Sequence, residues 1–288
     1  MARLLTRRNF LLGCGGLLGG AAAGAGYMRW LEPGWFQVTR TKIALPRSRP
    51  ATRPLRVLHL SDLHAHHAWV PLPAIAQAVA AGVALQPDLV CLTGDFVTGR
   101  CDDFPGYIRV LRPLVQAAPT FACLGNHDGG GWSRDSARGY AHTLAVQEFL
   151  AATGVRLLHN TAAEIAVAGR RVQLIGVGDW WARETKPQRA FAEAPPRGEA
   201  VRLLLNHNPD AKIVLRAFDW DVMLSGHTHG GQIGVPWLAQ QIAPVQDKRY
   251  IAGLYAWEGR SIFITRGVGN LHGVRLFCRP EVSLLEIG

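Results

Sequence analysis

The sequence predicts an α/β chain of α+β character: two mixed β-sheets packed face to face in a sandwich flanked by α-helices. Three observations predict it. Five short apolar runs, each bounded by glycine and polar residues, read as buried strands. Helical stretches fall between them, which implies a parallel or mixed sheet with helices outside. Around residues 155–177 and again beyond His229, short strands joined by tight turns replace that alternation, and these need a second sheet.

The five runs lie at residues 56–60, 89–92, 121–124, 201–205 and 222–224. Helical patterning covers 72–84, ending before Pro87. It returns at 107–117, where Pro113 is expected to interrupt the helix. A third helix is expected over 143–152, before Gly154. A fourth is expected over 209–217, with Asn208 as N-cap and Pro209 at the first helical position. The denser β region supplies strands at 155–158, 163–167, 171–177, 250–257, 261–265 and 282–287.

The N-terminus differs from the rest of the chain. Arg7-Arg8 precede a stretch over 10–28 with no charge, built mostly of Gly, Ala and Leu. It resembles a twin-arginine (Tat) signal, which implies the Tat export machinery as a partner and the periplasm or cell envelope as destination. Small residues at 21–25 offer cleavage sites. Retention of 1–28 as an anchor on the outer face of the cytoplasmic membrane stays equally open. Residues 11–14 look like a lipoprotein box but lie too close to the arginines. Residues 29–54 are rich in Arg and Pro and read as a basic tether with one short strand, Gln37–Ile43, leaving 55–288 as the catalytic-sized domain.

The formal net charge of +10 sits mostly in that leader. Residues 1–54 hold nine Lys/Arg and one acid, net +8, so the remainder carries 22 basic and 20 acidic residues, net +2. A nearly balanced body excludes nucleic acid as the expected partner. Five scattered cysteines without a CxxC pair exclude a disulfide framework and a thiolate zinc site. A monomer is expected.

Chemistry enters at the ends of the five runs. They terminate in Asp62 and His64, in Asp95, in Asn126 and His127-Asp128, in His207, and in His227 and His229. If the strands pair, these tips gather along one edge. Asp62 and His64 are two apart, and an extended backbone sends both side chains to one face. Gly94 lets the backbone approach closely at Asp95, whose two oxygens suit a bridge between cations. Imidazole and carboxylate donors without thiolate suit Mn, Fe or Zn and disfavour Ca or Mg. Two divalent cations bring +4 and the two aspartates return −2, so such a site stays positive and suits an anionic ligand.

The blocks Asp62-x-His64, Gly94-Asp95, Gly125-Asn126-His127-Asp128, His207 and Gly226-His227-x-His229 resemble the calcineurin-like metallophosphoesterases, over about residues 55–288. The Gly226–Gln232 block and Arg279-Pro280-Glu281 are similar to the Tat-exported bacterial branch. The resemblance implies the metallophosphoesterase fold and a hydroxide held by two divalent metals (Mn, Fe or Zn) that hydrolyses phosphodiester or pyrophosphate bonds. It implies one metal on Asp62, His64, Asp95 and His229 and a second on Asp95, Asn126, His207 and His227. It makes His127 the catalytic group facing the phosphate, with Asp128 orienting it. The implied partner is a phosphoester substrate. A lipid-linked one, such as a nucleotide-linked diacylglucosamine or a phospholipid, is the alternative, and a non-catalytic metal-dependent binding protein is a remoter one.

Other residues carry weaker expectations. His59 reads as structural, His66 and His67 as a solvated loop, and His272 as a candidate lining of the cleft. Asp179 reads as an orienting or turn residue. The 129–132 stretch is a candidate mobile rim and Trp180-Trp181 a stacking or membrane-facing edge. The apolar 233–245 stretch is a candidate lid or lip.

Overall fold

Apolar runs become strands here because both faces of each sheet are covered. The computed structural model describes residues 7–45, 53–136 and 139–288. Residues 1–6 of the leader and 46–52 of the expected tether lie outside the described residues.

The first sheet has the order β1 (Gln37–Ile43), β12 (Glu281–Ile287), β2 (Leu55–Leu60), β3 (Leu89–Thr93), β4 (Thr120–Cys123), β5 (Arg156–Leu157). The second has the order β10 (Gly253–Trp257), β11 (Arg260–Ile264), β9 (Val222–Ser225), β8 (Val201–Leu205), β7 (Arg170–Gly176), β6 (Thr161–Val167). In each sheet the strands that carry the polar tips are parallel: β2, β3 and β4 in one, β8 and β9 in the other. Helices on both outer faces complete four layers.

Alternation along each strand divides the core. Val57, Leu89, Cys91 and Phe121 of the first sheet meet Leu174, Leu203, Leu205 and Leu224 of the second in the inter-sheet layer. The intervening residues Leu58, Leu60, Val90 and Leu92 face α2 (Leu72–Ala84), α3 (Phe104–Ala117) and α5 (Leu144–Thr153). Ile175, Leu204 and Met223 pack outward against Trp220 and Leu215. Each fully buried Leu, Val or Ile contributes about 1.5–3 kcal/mol, so the strands hold their positions without help from the polar tips.

The fold class and most elements match the sequence reading, and three details correct it. α3 begins at Phe104 with Asp103 capping the Gly106 amide, and it runs through Pro113 without stopping. The 209–217 helix is shorter, a 3₁₀ turn Pro209–Ala211 followed by Lys212–Leu215. The segment read as a tether carries its expected strand at Gln37–Ile43, and that strand is docked on the domain: β1 pairs in parallel with β12 along all seven residues. Upstream of it, the Glu32 carboxylate is buried and accepts from the Phe277 and Cys278 amides. α1 (Arg7–Gly26) runs directly into the turn Tyr27–Leu31 that precedes this docked segment. Among the described residues no helix is long and apolar enough to cross a membrane. All five cysteines are free thiols, with Cys91, Cys123 and Cys278 buried.

Candidate metal centre and catalytic cleft

Parallel strands place all their C-terminal ends on one side, and the two sheets here share that side. The loop after β2 presents Asp62 and His64, the loop after β3 presents Asp95, and the loop after β4 presents Asn126, His127 and Asp128. From the second sheet β8 delivers His207, and β9 delivers His227 and His229. The site therefore lies where the edges of the two layers meet, the place open α/β sheets use for ligands.

Backbone hydrogen bonds fasten these loops together. The Asp62 amide donates to the Gly94 carbonyl and the His64 amide to the Asp95 carbonyl, each at 2.9 Å. The His227 amide donates to the Asp62 carboxylate at 3.0 Å, which ties the second sheet to the first. The His127 amide donates to Asp95 Oδ1 at 2.8 Å. Gly94 sits at φ +84°, and a Cβ there would collide with the Gly125 backbone.

The expectation of an extended Asp62-x-His64 stretch is corrected. Asp62 and His64 lie at φ 53° and 47°, in the left-handed region, as do Asp95 (54°), His227 (69°) and His229 (51°). Five of the seven proposed ligands thus hold a conformation that side chains avoid. Such strain costs about 1–3 kcal/mol per residue and persists where surrounding structure imposes it. Here the inter-loop hydrogen bonds and the packed strands impose it.

The side chains converge in three overlapping groups. Donor atoms of Asp62, His64 and His229 lie within 4.8 Å of one another, as do those of Asp95, His207 and His227, and those of His64, Asp95 and His127. His64 Nε2 is 3.1 Å from His229 Nε2, and Asp62 Oδ1 is 3.3 Å from the latter. Asp95 Oδ2 stands between the first two groups, 3.4 Å from His64 Nε2 and 3.1 Å from His207 Nε2.

Ring orientation follows from what cannot donate. His227 Nε2 faces the Pro244 carbonyl at 2.9 Å and His207 Nδ1 faces the Thr93 carbonyl at 2.6 Å. A carbonyl only accepts, so those nitrogens carry protons, which leaves His227 Nδ1 and His207 Nε2 to face each other at 3.3 Å. Thr98 Oγ1 holds His64 Nδ1 at 2.7 Å. Buried Asn126 Oδ1 has no hydrogen-bond partner. Converging imidazole nitrogens, two carboxylates and an unpartnered amide oxygen fit a divalent cation site.

The electrostatics agree. Burial raises Asp62 to about 6, against the pull of His207. Burial would raise Asp95 too, but His207 and His127 beside it hold it well below the usual carboxylate range. Burial works against a charged His207, yet Asp95 beside it raises it well above its ordinary value, a pull on its proton that a cation on Asp95 would remove. Burial lowers His64 and His227 to about 3, leaving neutral ligands.

Asp128 is not aimed at the cleft. Its carboxylate accepts from the amides of Asp95 (2.9 Å), Phe96 (2.7 Å) and Gly125 (2.8 Å), so any orientation it gives His127 passes through the backbone. It is a positioning residue. His127 does line the cleft, a space of about 460 Å³ above Asp95 and Asn126.

Aromatic rings wall that cleft. Trp132 packs 4.5 Å from His127, and Trp181 lies edge-on 4.4 Å from His227. Opposite, Trp69 stacks on His66 at 4.4 Å and meets the edge of His272. His66 and His272 both line the cleft, which corrects the solvated-loop reading of His66 and agrees with that of His272; His67 stays exposed. Trp180 packs on the outer core and takes no part in the cleft. The carboxyl of Asp179 is buried and raised to about 6 by that burial; it accepts from the Ala182 amide, on the loop that carries Trp181.

Two contributors were invisible in the sequence. Thr98 has no motif around it. Arg275 is fully buried and donates to the carbonyls of Gly269, Arg266 and Cys278, with His229 at 3.4 Å, which anchors the loop behind that ligand. No local pattern around Arg275 marks this role.

Comparison with known proteins places these observations in a family. The family model of the calcineurin-like phosphoesterases matches residues 55–231. Phosphodiesterase YaeI of Escherichia coli (strain K12) is 44% identical over 287 residues, covering 99% of this chain and 100% of that one. UDP-2,3-diacylglucosamine pyrophosphatase LpxG of Chlamydia trachomatis is 28% identical, covering 89% of this chain and 90% of its own. The uncharacterized metallophosphoesterase YkuE of Bacillus subtilis (strain 168) is 26% identical, covering 98% of each.

Proposed function

The chain belongs to the calcineurin-like phosphoesterases, hydrolases of phosphoric esters, and from that premise we propose a two-cation enzyme that cleaves a phosphodiester or pyrophosphate bond at the cell envelope. The observation that carries this reading is the position of Asp95 Oδ2, within 3.4 Å of an imidazole nitrogen from each of two donor groups. Asp62, His64 and His229 would hold one cation with Asp95. Asn126, His207 and His227 would hold the other with Asp95. When bound, two such divalent cations acidify water and offset the phosphoryl charge. Mn, Fe and Zn suit these donors.

The chain's own groups do the rest. His127, beside the Asp95 group and open to the cleft, donates a hydrogen bond or a proton to the phosphoryl or leaving oxygen. Asp128 holds the Asp95 and Gly125 amides and so sets where His127 stands. Trp132 and Trp181 shield one side of the reacting centre from water, and Trp69 and His66 form the facing wall.

A lipid-linked substrate is favoured over a freely soluble one by the aromatic walls and by the pyrophosphatase named among the relatives. The arginine pair and uncharged stretch of the leader support export through the Tat machinery, with residues up to 28 either removed or kept as an anchor. The test is activity of the purified chain, metal-stripped and then reloaded with Mn, Fe or Zn, against bis(p-nitrophenyl) phosphate, nucleotides, UDP-diacylglucosamine and phospholipids. Hydrolysis restored by cation and highest on a lipid-linked pyrophosphate or diester is the expected result. Full turnover without any cation would overturn the reading.

A further inference from the structure

Large exposed apolar side chains are not spread evenly over this protein. Among the described residues, Leu144, Ile213, Val214 and Leu254 stand out at scattered places and three leucines stand out on α1, whereas Trp30, Leu31, Trp35, Trp237, Ile242 and Phe277, 45% to 74% exposed, belong to three segments that touch one another. The Glu32 carboxylate accepts from the Phe277 amide at 2.8 Å, and the Arg275 amide donates to the Met28 carbonyl. Arg279 lies 4.0 Å over the Trp35 ring and donates to the Trp35 carbonyl. The Gly234 amide donates to the Leu276 carbonyl, which sets the helix Pro236–Ile242, with Trp237 and Ile242, beside the segment that carries Phe277.

The same segments frame the catalytic mouth. Leu271 and His272 line the cleft three to eight residues before Arg275 and Arg279, and Pro244 lines it just beyond that helix. Arg29 donates to the carbonyls of Ala68, beside cleft-lining Trp69, and of Gly273.

Charge distinguishes what such a surface would meet. Residues 27–45, 233–246 and 267–280 contain one acid, Glu32, which is buried on backbone amides. They contain four bases besides the buried Arg275, namely Arg29, Arg40, Lys42 and Arg279, on the first and third segments, where Lys42 stands in register with Glu286 of β12. Helix α1, uncharged beyond Arg8, leads straight into this surface. Tryptophan and phenylalanine standing out of a rim with more bases than acids match the interface of an anionic bilayer, where aromatic rings settle at headgroup level and arginines meet phosphate.

We propose that this rim, Trp30-Leu31, Trp35, Trp237, Ile242 and Phe277, docks the catalytic mouth onto an anionic lipid surface. The docking is a property of the folded domain and adds to whatever hold α1 provides. It places the cleft at the headgroup plane, so that a phosphate carried by a lipid reaches the site without leaving the bilayer.

The test uses the full chain and vesicles of phosphatidylethanolamine with phosphatidylglycerol, with phosphatidylcholine vesicles as the neutral control. Flotation of wild type is compared with the double variant Trp237→Ser/Phe277→Ser. The expected result is salt-sensitive binding to the anionic vesicles that the double variant weakens by about tenfold or more, given the apolar surface removed. Turnover of soluble bis(p-nitrophenyl) phosphate reports that the variant is folded; if it is not, Trp30→Ser/Leu31→Ser takes its place with the same expectation. Binding that neither pair weakens would overturn the proposal and leave α1 as the only contact. So would a wild type that ignores vesicles and instead forms dimers that the double variant abolishes. A chain that binds vesicles but hydrolyses nothing would refute the catalytic reading and leave this one standing.

Discussion

Asp95 and His127 sit in one loop cluster yet are expected to fail differently. Asp95 Oδ2 serves both donor groups while its Oδ1 receives the His127 amide, so Asp95→Ala removes a bridge and a backbone anchor together. We expect cation content and turnover to be lost in parallel. His127→Ala should keep its cations and lose about 10²–10⁴-fold in turnover, read by metal analysis beside a kinetic assay. Equal cation loss in both variants would refute these roles. His59 behaves as a stability residue. It is fully buried with Nε2 at 2.8 Å from Thr93 Oγ1, and burial lowers it to about 3. Its folded value is depressed from an unfolded value of about 6.5. Above that value both states are neutral and the contribution is whole. As pH falls toward about 3 the unfolded chain takes up a proton that the fold refuses, at about 1.4 kcal/mol per pH unit. Urea unfolding followed from neutral pH into this window should show a shallower acid dependence for His59→Gln than for wild type.

At the level of elements, the strand-end loops work only as a set. Gly226 lies between β9 and His227, and a Cβ there would overlap Ser61 Oγ and the Asp62 carboxylate. Gly226→Ala should therefore push Asp62 away from His229 and lower cation affinity by about 10–100-fold, the usual cost of disturbing a ligand's support. Calorimetric titration with Mn checks this, and unchanged affinity would show that the loop can yield. The strand ends themselves were legible in the sequence because each is a local pattern, an apolar run followed by glycine and a ligand. The helix Pro236–Ile242 was seen only as an apolar stretch, because its short turns and flanking prolines hide a helical period. Pro113 misled for a related reason. Proline's clash applies to one carbonyl, and packing of Leu111 and Leu114 against the sheet holds the helix on both sides of it.

For the whole molecule, the N-terminal segment is part of the folded body. β1 lies at the sheet edge beside β12, and Glu32 binds two amides of the segment that frames the cleft. Glu32→Ala would leave those amides without their charged acceptor, at about 2–3 kcal/mol of stability. The expected outcome is a lower denaturant midpoint and faster proteolysis between residues 27 and 45, with turnover of a soluble diester changed far less. Stability equal to wild type would show that the docked segment contributes nothing. Reading residues 29–54 as a tether followed their Arg- and Pro-rich composition. Composition reports solvation, whereas the parallel pairing with β12 joins residues more than two hundred apart, and no local pattern contains it.

The sequence alone determined the fold class, the order of the seven donor side chains and the chemistry they share, because strand periodicity and residue type are local properties. Tertiary structure decided what those donors do to one another. Two sheets had to meet before Asp95 could stand between His64 and His207. Loops had to hydrogen-bond across them before Asp62 and His64 could be held at positive φ. The carboxylate of Asp128 turned to the backbone for the same reason: buried amides must find acceptors, and only the assembled loops show which acceptor is near.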